Sequence, residues 1–476
     1  MSQPLWLLLL LPAVGAVCAL ALGRARPDAA KVVALLTALL QAVVTAYLIA
    51  PVFSGSAVRV WQIGAAAAAR TPLVVEGLSG SLVALTALLG IVAVLASWKV
   101  DLRPGSHFAL LLLLQAAVTA VFLANELVLF YVAWEAVLIP MYFLIGVWGH
   151  EQRRHAAMKF FLFTFAGSAL MLVGILLLVA VPGVLAPEGR GVVAAWQPLV
   201  FWLLMAGFAV KVPIWPLHTW LPDAHVEAPT AGSIMLAGVL LKMGGYGMLR
   251  WAYPLAPEAA AAAGPLLAAL GIIGIVYGAL MALAQTDLKR LVAYSSVSHM
   301  GFFVLAVSVG TQAAYTAAVL VMVAHGLTSA LLFLLVGSLY DRTHTRDMSR
   351  FGGLVRTIPL WGGTFVFACL ASLGLPGLAG FPGELLTVLE GFGRYGWWMG
   401  IVAVGVVLAG VYNLRAIRRV GHGAVSAEWA DLPDLALHEK VAVTLLVLSI
   451  VAMGIYPTLV AVAASGWAGL LVPAGG

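Results

Sequence analysis

The segment Met205–Arg250, MAGFAVKVPIWPLHTWLPDAHVEAPTAGSIMLAGVLLKMGGYGMLR, is apolar enough to sit in a lipid bilayer. It nevertheless carries Lys211, His218 and Lys242, interleaved with Pro213, Pro216, Pro222 and Pro229. A bilayer penalises unpaired charge and interrupted backbone alike, so a chain that concentrates both in one membrane segment is expected to use them. Fold and function are read outward from this stretch.

The chain has 476 residues, 63% hydrophobic and 9% charged, with a mean hydropathy of +1.07. Soluble domains carry about 25% charged residues. The composition therefore specifies an all-α polytopic membrane protein, because closed barrels require short strands with alternating polar residues, and none are present. The net charge of +6 has no basic run with interleaved aromatics behind it, which excludes a nucleic-acid reading. Cys18 and Cys369 lie far apart in apolar runs and are expected as small core residues, neither a metal site nor a disulfide. The first segment, MSQPLWLLLLLPAVGAVCALALG, lacks a basic n-region and reads as a retained helix.

Apolar runs predict about fourteen transmembrane helices, at 4–22, 31–50, 79–97, 107–124, 126–147, 158–181, 198–220, 228–250, 262–285, 290–309, 314–337, 361–392, 397–419 and 439–465. They form one membrane domain, 1–476. Loops after odd-numbered helices carry most of the lysines and arginines: Arg24, Arg26, Lys31, Lys99, Arg103, Arg153, Arg154, Lys159, Lys289, Arg290, Arg342, Arg346, Arg350, Arg356, Arg415, Arg418, Arg419 and Lys440. Loops after even-numbered helices carry only Arg59, Arg70, Arg190, Arg250 and Arg394. The positive-inside rule then places the odd loops in the cytoplasm and both termini outside. No G-x-G-x-x-G, P-loop or cysteine cluster is present, so hydride transfer, ATP hydrolysis and iron–sulfur chemistry are not expected in this chain.

The ionisable residues at mid-depth carry the functional reading. At 1.5 Å per residue, Glu135 lies about 14 Å into helix 5, Lys242 about 21 Å into helix 8 and Lys211 about 15 Å from the far end of helix 7. His299 and His325 fall near the middles of helices 10 and 11, and Glu384 follows the break LGLPGLAGFPGE in helix 12. A lone histidine can serve only to bond a neighbouring helix. A lysine or glutamate at this depth costs about 2.5–3.5 kcal/mol on insertion scales, which argues against decoration. Glu126, Asp287 and Glu390 sit near helix ends, where capping or snorkelling suffices. A lysine that alternately gains and loses a carboxylate partner takes up and releases a proton, and Glu135 is the natural modulator of Lys211. Proline and glycine interrupt helices 7 and 12, which lie five helices apart. Helices 4–8 (107–250) and 9–13 (262–419) therefore read as inverted repeats, with helices 1–3 (4–97) before them and the last helix (439–465) after.

At these residues the chain resembles the proton-pumping, antiporter-like membrane subunits of respiratory complex I, the NADH:quinone oxidoreductase. The resembling motifs are WEAVLIPMYFLIGVWG (134–149), AVKVPIWPLHTWLPDAHVEAPTAGSIMLAGVLLKMGGYGMLR (209–250), DLKRLVAYSSVSHMGF (287–302) and LYDRTHTRDMSRFGGL (339–354). The last of these, together with Glu384, where related subunits tend to carry lysine, and the absence of a long lateral helix after helix 14, points to the M-type branch, the counterpart of mitochondrial subunit 4. The resemblance implies a coupled pair Glu135–Lys211, a connecting relay His218 and Lys242, axis residues His299 and His325, and an exit-side carboxylate Glu384. It also implies a bacterial inner-membrane location beside other complex I membrane subunits, especially neighbouring antiporter-like ones, with NADH, FMN, iron–sulfur clusters and quinone held by partner subunits and no cofactor here. The competing readings are a subunit of a multisubunit cation/proton antiporter or membrane-bound hydrogenase, and a non-transporting scaffold, which would have no use for midplane ionisable residues. Lysines and histidines at the midplane favour protons over sodium.

Overall fold

The computed structural model describes residues 4–53, 59–62, 72–186, 191–425, 427–469 and 471. Long apolar helices dominate it: α1 (Leu7–Ala25), α2 (Pro27–Phe53), α3 (Gly77–Ala96), α4 (Pro104–Leu123), α5 (Leu127–Ala136 and Leu138–Trp148) and α6 (Arg153–Ala180). They continue as α7 (Gln197–Lys211 and Trp220–Glu227), α8 (Thr230–Leu255), α9 (Pro257–Ala284), α10 (Leu288–Val309) and α11 (Gln312–Thr343). The last three are α12 (Pro359–Ser372 and Gly380–Tyr395), α13 (Met399–Ala416) and α14 (Leu437–Ile455 and Thr458–Ala468).

Among the described residues, thirteen helices are long and apolar enough to cross a membrane. One of these, Gly380–Gly421, is interrupted at Gly396, where φ is +58°. Tyr395 bonds the Ser308 carbonyl near the end of α10, whereas Arg415 bonds the Leu283 carbonyl at the end of α9. The chain thus reverses there, and dividing the stretch at Gly396 recovers the fourteen expected passes.

Three features depart from the sequence reading. A two-stranded antiparallel ribbon, β1 (Arg59–Gln62) and β2 (Val74–Glu76), occupies part of the expected loop after α2. Two further helices are broken. α5 is interrupted at Val137, where Pro140 has no N–H for the Ala136 carbonyl, and α14 is interrupted at Tyr456, before Pro457. Cys18 faces outward from α1, while Cys369 is buried as expected. Leucine and valine can face lipid at no cost, and so can a thiol, so a small apolar residue in a membrane helix carries no information about which side it faces.

α8 and α11 lie wholly inside the bundle, whereas α1 and α2 bury only about a third of their residues. Small residues let the inner helices approach. A Cβ at Gly238 of α8 would meet Leu89 at 2.2 Å, and one at Gly326 of α11 would meet the Gly238 carbonyl at 2.8 Å. α8 also contains two π-helical turns, Leu236–Leu240 and Met248–Ala252, on either side of Lys242.

The ends of the bundle differ in charge. At one face Asp223 pairs with Lys159 (2.6 Å) and Arg290 (3.1 Å), Arg346 pairs with Asp287 (3.1 Å), and Arg342 clasps Glu439. This basic face gathers loops that follow helices 5, 9, 11 and 13, the odd set. At the opposite face Arg250 bonds Glu76 (3.2 Å) and Asn125 (2.7 Å), joining loops of the even set. Arg70 and Arg190 lie outside the described residues. α7 ends at the basic face and α12 begins there, so the two broken helices expected from the sequence run through the bundle in opposite senses.

Candidate functional site

Each ionisable side chain is placed by a break or a close approach. In α7 the helix stops at Lys211 because Pro213 and Pro216 supply no amide donors. The Trp220 indole spans the gap and donates to the Val210 carbonyl (3.0 Å). In α12 the first half ends at Ser372, followed by Gly374 (φ +75°) and Gly377 (φ +89°) in the left-handed region. Gly374 has a second role, since a Cβ there would meet Glu384 Oε2 at 2.8 Å. Gly454 of α14 packs against the same break, its would-be Cβ 2.2 Å from the Gly377 carbonyl.

The structure joins four of the seven sequence-predicted residues. Lys242, fully buried, donates from Nζ to the Ala237 carbonyl (2.5 Å), inside the first π turn of α8, and contacts His325 Nδ1 (2.6 Å). The rings of His325 and His299 lie 6.0 Å apart. His299 Nδ1 is 2.9 Å from Glu384 Oε1, and its Nε2 is 3.1 Å from the Ser372 hydroxyl and 3.4 Å from that of Tyr412. Both histidines line a cavity of about 20 Å³, together with Ser295, Thr328, Ser372 and Glu384, among others. That volume holds one water molecule, and its lining supplies more than the two to four polar partners a buried water needs. His325 Nε2, buried and without a protein partner, is the atom such a water would serve.

The other three are not in direct contact. Lys211 is 1% exposed and has no hydrogen-bond partner. Its ammonium lies 5.2 Å from the Trp134 ring and 5.5 Å from that of Phe160, within cation–π range. Glu135 Oε1 is likewise buried without a partner, and no ion pair joins it to Lys211 among the described residues. Trp134, its neighbour in sequence, supplies one of the rings beside Lys211. His218 packs edge-on against Tyr277 (ring centroids 5.1 Å), with Nδ1 unpartnered. Lys211, Glu135 and His218 thus each carry a buried polar atom without a protein partner among the described residues.

Sequence reasoning passed over several residues. His225 is fully buried with both ring nitrogens unpartnered, stacked on Phe333 (4.4 Å, 9° between planes). It sits in WLPDAHVEAP, which reads as a helix end; the buried setting comes from the packing of α11. Lys289, counted among the loop charges, is 3% exposed and donates to the Ala228 carbonyl (2.5 Å). Ser372 and Tyr412 have no sequence signal, because serine and tyrosine are ordinary in membrane helices. Of the residues assigned to helix ends, Asp287 caps α10 by accepting from the Arg290 amide (2.9 Å), and Glu390 accepts from the Thr311 hydroxyl (2.5 Å).

Residues 124–410 match the family described as NADH:quinone oxidoreductase/Mrp antiporter, transmembrane. NADH-quinone oxidoreductase subunit M of Pseudomonas aeruginosa is 46% identical over 403 residues, covering 81% of this chain and 79% of that protein. Subunit M of Escherichia coli K12 is 45% identical over 402 residues, with the same coverage. Among solved structures, a chain of respiratory complex I from Thermus thermophilus with bound NADH superposes with a TM-score of 0.87 at 31% identity, covering 98% of this chain and 100% of that one. A chain of the Mrp complex from Dietzia at 20% identity (TM-score 0.85, covering 99% of this chain and 98% of that one) shares the fold. Fold and sequence together define an antiporter-like membrane subunit. The chain belongs to the NADH:quinone oxidoreductase/Mrp antiporter family, and within it to the relatives of NADH-quinone oxidoreductase subunit M.

Proposed function

We propose that this chain is a proton-translocating membrane subunit of an NADH:quinone oxidoreductase in the bacterial inner membrane. Its relay comprises Glu135, Lys211, His218, Lys242, His299, His325 and Glu384. The observation that carries the reading is the line Lys242–His325–cavity–His299–Glu384, in which each gap is a hydrogen bond or a space for one water. Such a line passes protons by short hops between groups that both donate and accept. Lys211, with rings but no hydrogen-bond partner, is placed to change its proton affinity when Glu135 approaches or recedes. The two halves, 107–250 and 262–419, act in series, the first loading Lys242 and the second discharging through Glu384.

On this reading the basic face is cytoplasmic and both termini lie outside. NADH, FMN, iron–sulfur clusters and quinone belong to partner subunits, and neighbouring antiporter-like subunits flank this one. The names of the curated relatives support an oxidoreductase complex over a cation/proton antiporter or hydrogenase assembly. The test is Lys211→Ala in the assembled enzyme, with quinone reduction and proton uptake measured together. Loss of pumping is expected, and unchanged pumping would overturn the relay.

A further inference from the structure

The first half of the bundle is chemically lopsided about its lysines. Towards the basic face, Lys211 is followed by His218 and by Asp223 paired with Lys159, a polar approach. Towards the opposite face lies a layer of aromatic rings: Phe122 from α4, Phe130 and Trp134 from α5, Phe208 from α7, and Tyr246 and Trp251 from α8. Phe130 sits at its centre, with ring centroids 5.6 Å from Trp134, 6.0 Å from Phe208, 6.2 Å from Tyr246 and 5.8 Å from Trp251. Phe122 closes on Tyr246 (5.4 Å) and Trp134 on Phe208 (5.7 Å). All six are buried.

On α7, α8 and α5 a ring of the layer lies three to five residues from an ionisable group. Phe208 lies one turn from Lys211, Tyr246 one turn from Lys242 and Phe130 five residues from Glu135, in every case on the side away from the basic face. Beyond the layer stands the Arg250–Glu76 pair. Among the described residues no hydrogen bond links the Tyr246 hydroxyl to the Trp134 or Trp251 indole N–H, or those two to each other. Phe208 is also held tightly, since a Cβ at Gly247 would meet its ring at 2.3 Å.

We propose that these rings form a dry seal that closes the first half-path to the opposite face, so that a proton on Lys211 or Lys242 reaches that face only through His325 and the second half. The inference rests on the relay reading above. Apolar constrictions block ions and protons by excluding the water that would carry them. The seal is needed because Lys242 is otherwise only two to three turns from the Arg250 end of α8, at about 1.5 Å per residue.

The test uses the assembled enzyme in sealed vesicles without substrate, following the decay of an imposed pH gradient. Phe130→Ala and, independently, Tyr246→Ala are expected to speed the decay about threefold or more, while Phe130→Leu stays as tight as the wild type. Two alanine variants approach the layer from different helices, so impaired assembly of one leaves the other decisive. Vesicles that stay tight with both alanine variants, or leak equally with Phe130→Leu, would overturn the seal. Because the assay needs no turnover, this failure is distinct from that of the relay, which is read from pumping by Lys211→Ala.

Discussion

Replacing Glu384 with glutamine tests the end of the relay with the least disturbance of packing. Both partners are largely buried, with side chains 11% (His299) and 16% (Glu384) exposed and 2.9 Å between Nδ1 and Oε1. Glutamine keeps the volume and an acceptor oxygen, so the His299 contact survives as a neutral hydrogen bond. Bonds to a charged group contribute about 1.5–3 kcal/mol against about 1 for neutral ones. The loss at this contact is therefore about 1 kcal/mol. The larger effect is chemical, because an amide takes up no proton at any working pH and the line ends at His299. In proteoliposomes bearing the assembled enzyme, Glu384→Gln is expected to lower protons pumped per quinone reduced, or quinone reduction with it where coupling is tight, with assembly unchanged. Wild-type pumping at wild-type turnover would refute the reasoning from the His299–Glu384 contact.

Two further outcomes follow from the basic face. Arg342 bonds both oxygens of Glu439 and the carbonyls of Ser338, Pro433 and Asp434, tying α11 to the start of α14. Arg342→Ala leaves Glu439 buried and unpaired at a cost of about 3–5 kcal/mol, to be read as lower thermal stability and yield of the assembled complex, with Arg342→Lys intermediate because it keeps the charge but loses the fork. His150, in the loop between α5 and α6, has its pKa pulled down to about 3 by burial and by the nearby charges of Lys289 and Arg346. It therefore stays neutral when folded while the unfolded chain takes up a proton below about pH 6.5; its contribution to stability is complete above that pH and lost as pH falls towards 3. His150→Gln should flatten the acid limb of a thermal-stability profile, and an unchanged limb would count against it.

The polytopic fold was legible because lipid writes directly into composition: long apolar runs, lysines and arginines in alternate loops, and clusters of proline and glycine that interrupt a helix. Those constraints are local, so the fourteen passes and the breaks in α7 and α12, where prolines and glycines cluster, follow without knowledge of packing. The breaks in α5 and α14 were legible in principle from Pro140 and Pro457, but proline alone does not say whether a membrane helix bends or stops. The midplane residues were visible for the same reason, since charge in an apolar run stands out.

What the sequence could not supply was which of them touch. Lys242 and His325 are 83 residues apart, and His299 and Glu384 are 85 apart. Their contacts depend on how α8, α10, α11 and α12 cross, which is fixed by glycine approaches such as Gly238 on Gly326. The same packing left Glu135 and Lys211 without direct contact, buried His225 and Lys289, and brought Ser372 and Tyr412 to His299. The stretch Met205–Arg250 announced its charges and breaks by itself. Only the tertiary structure decided that Lys242 meets His325, while Lys211 lies among aromatic rings without a hydrogen-bond partner.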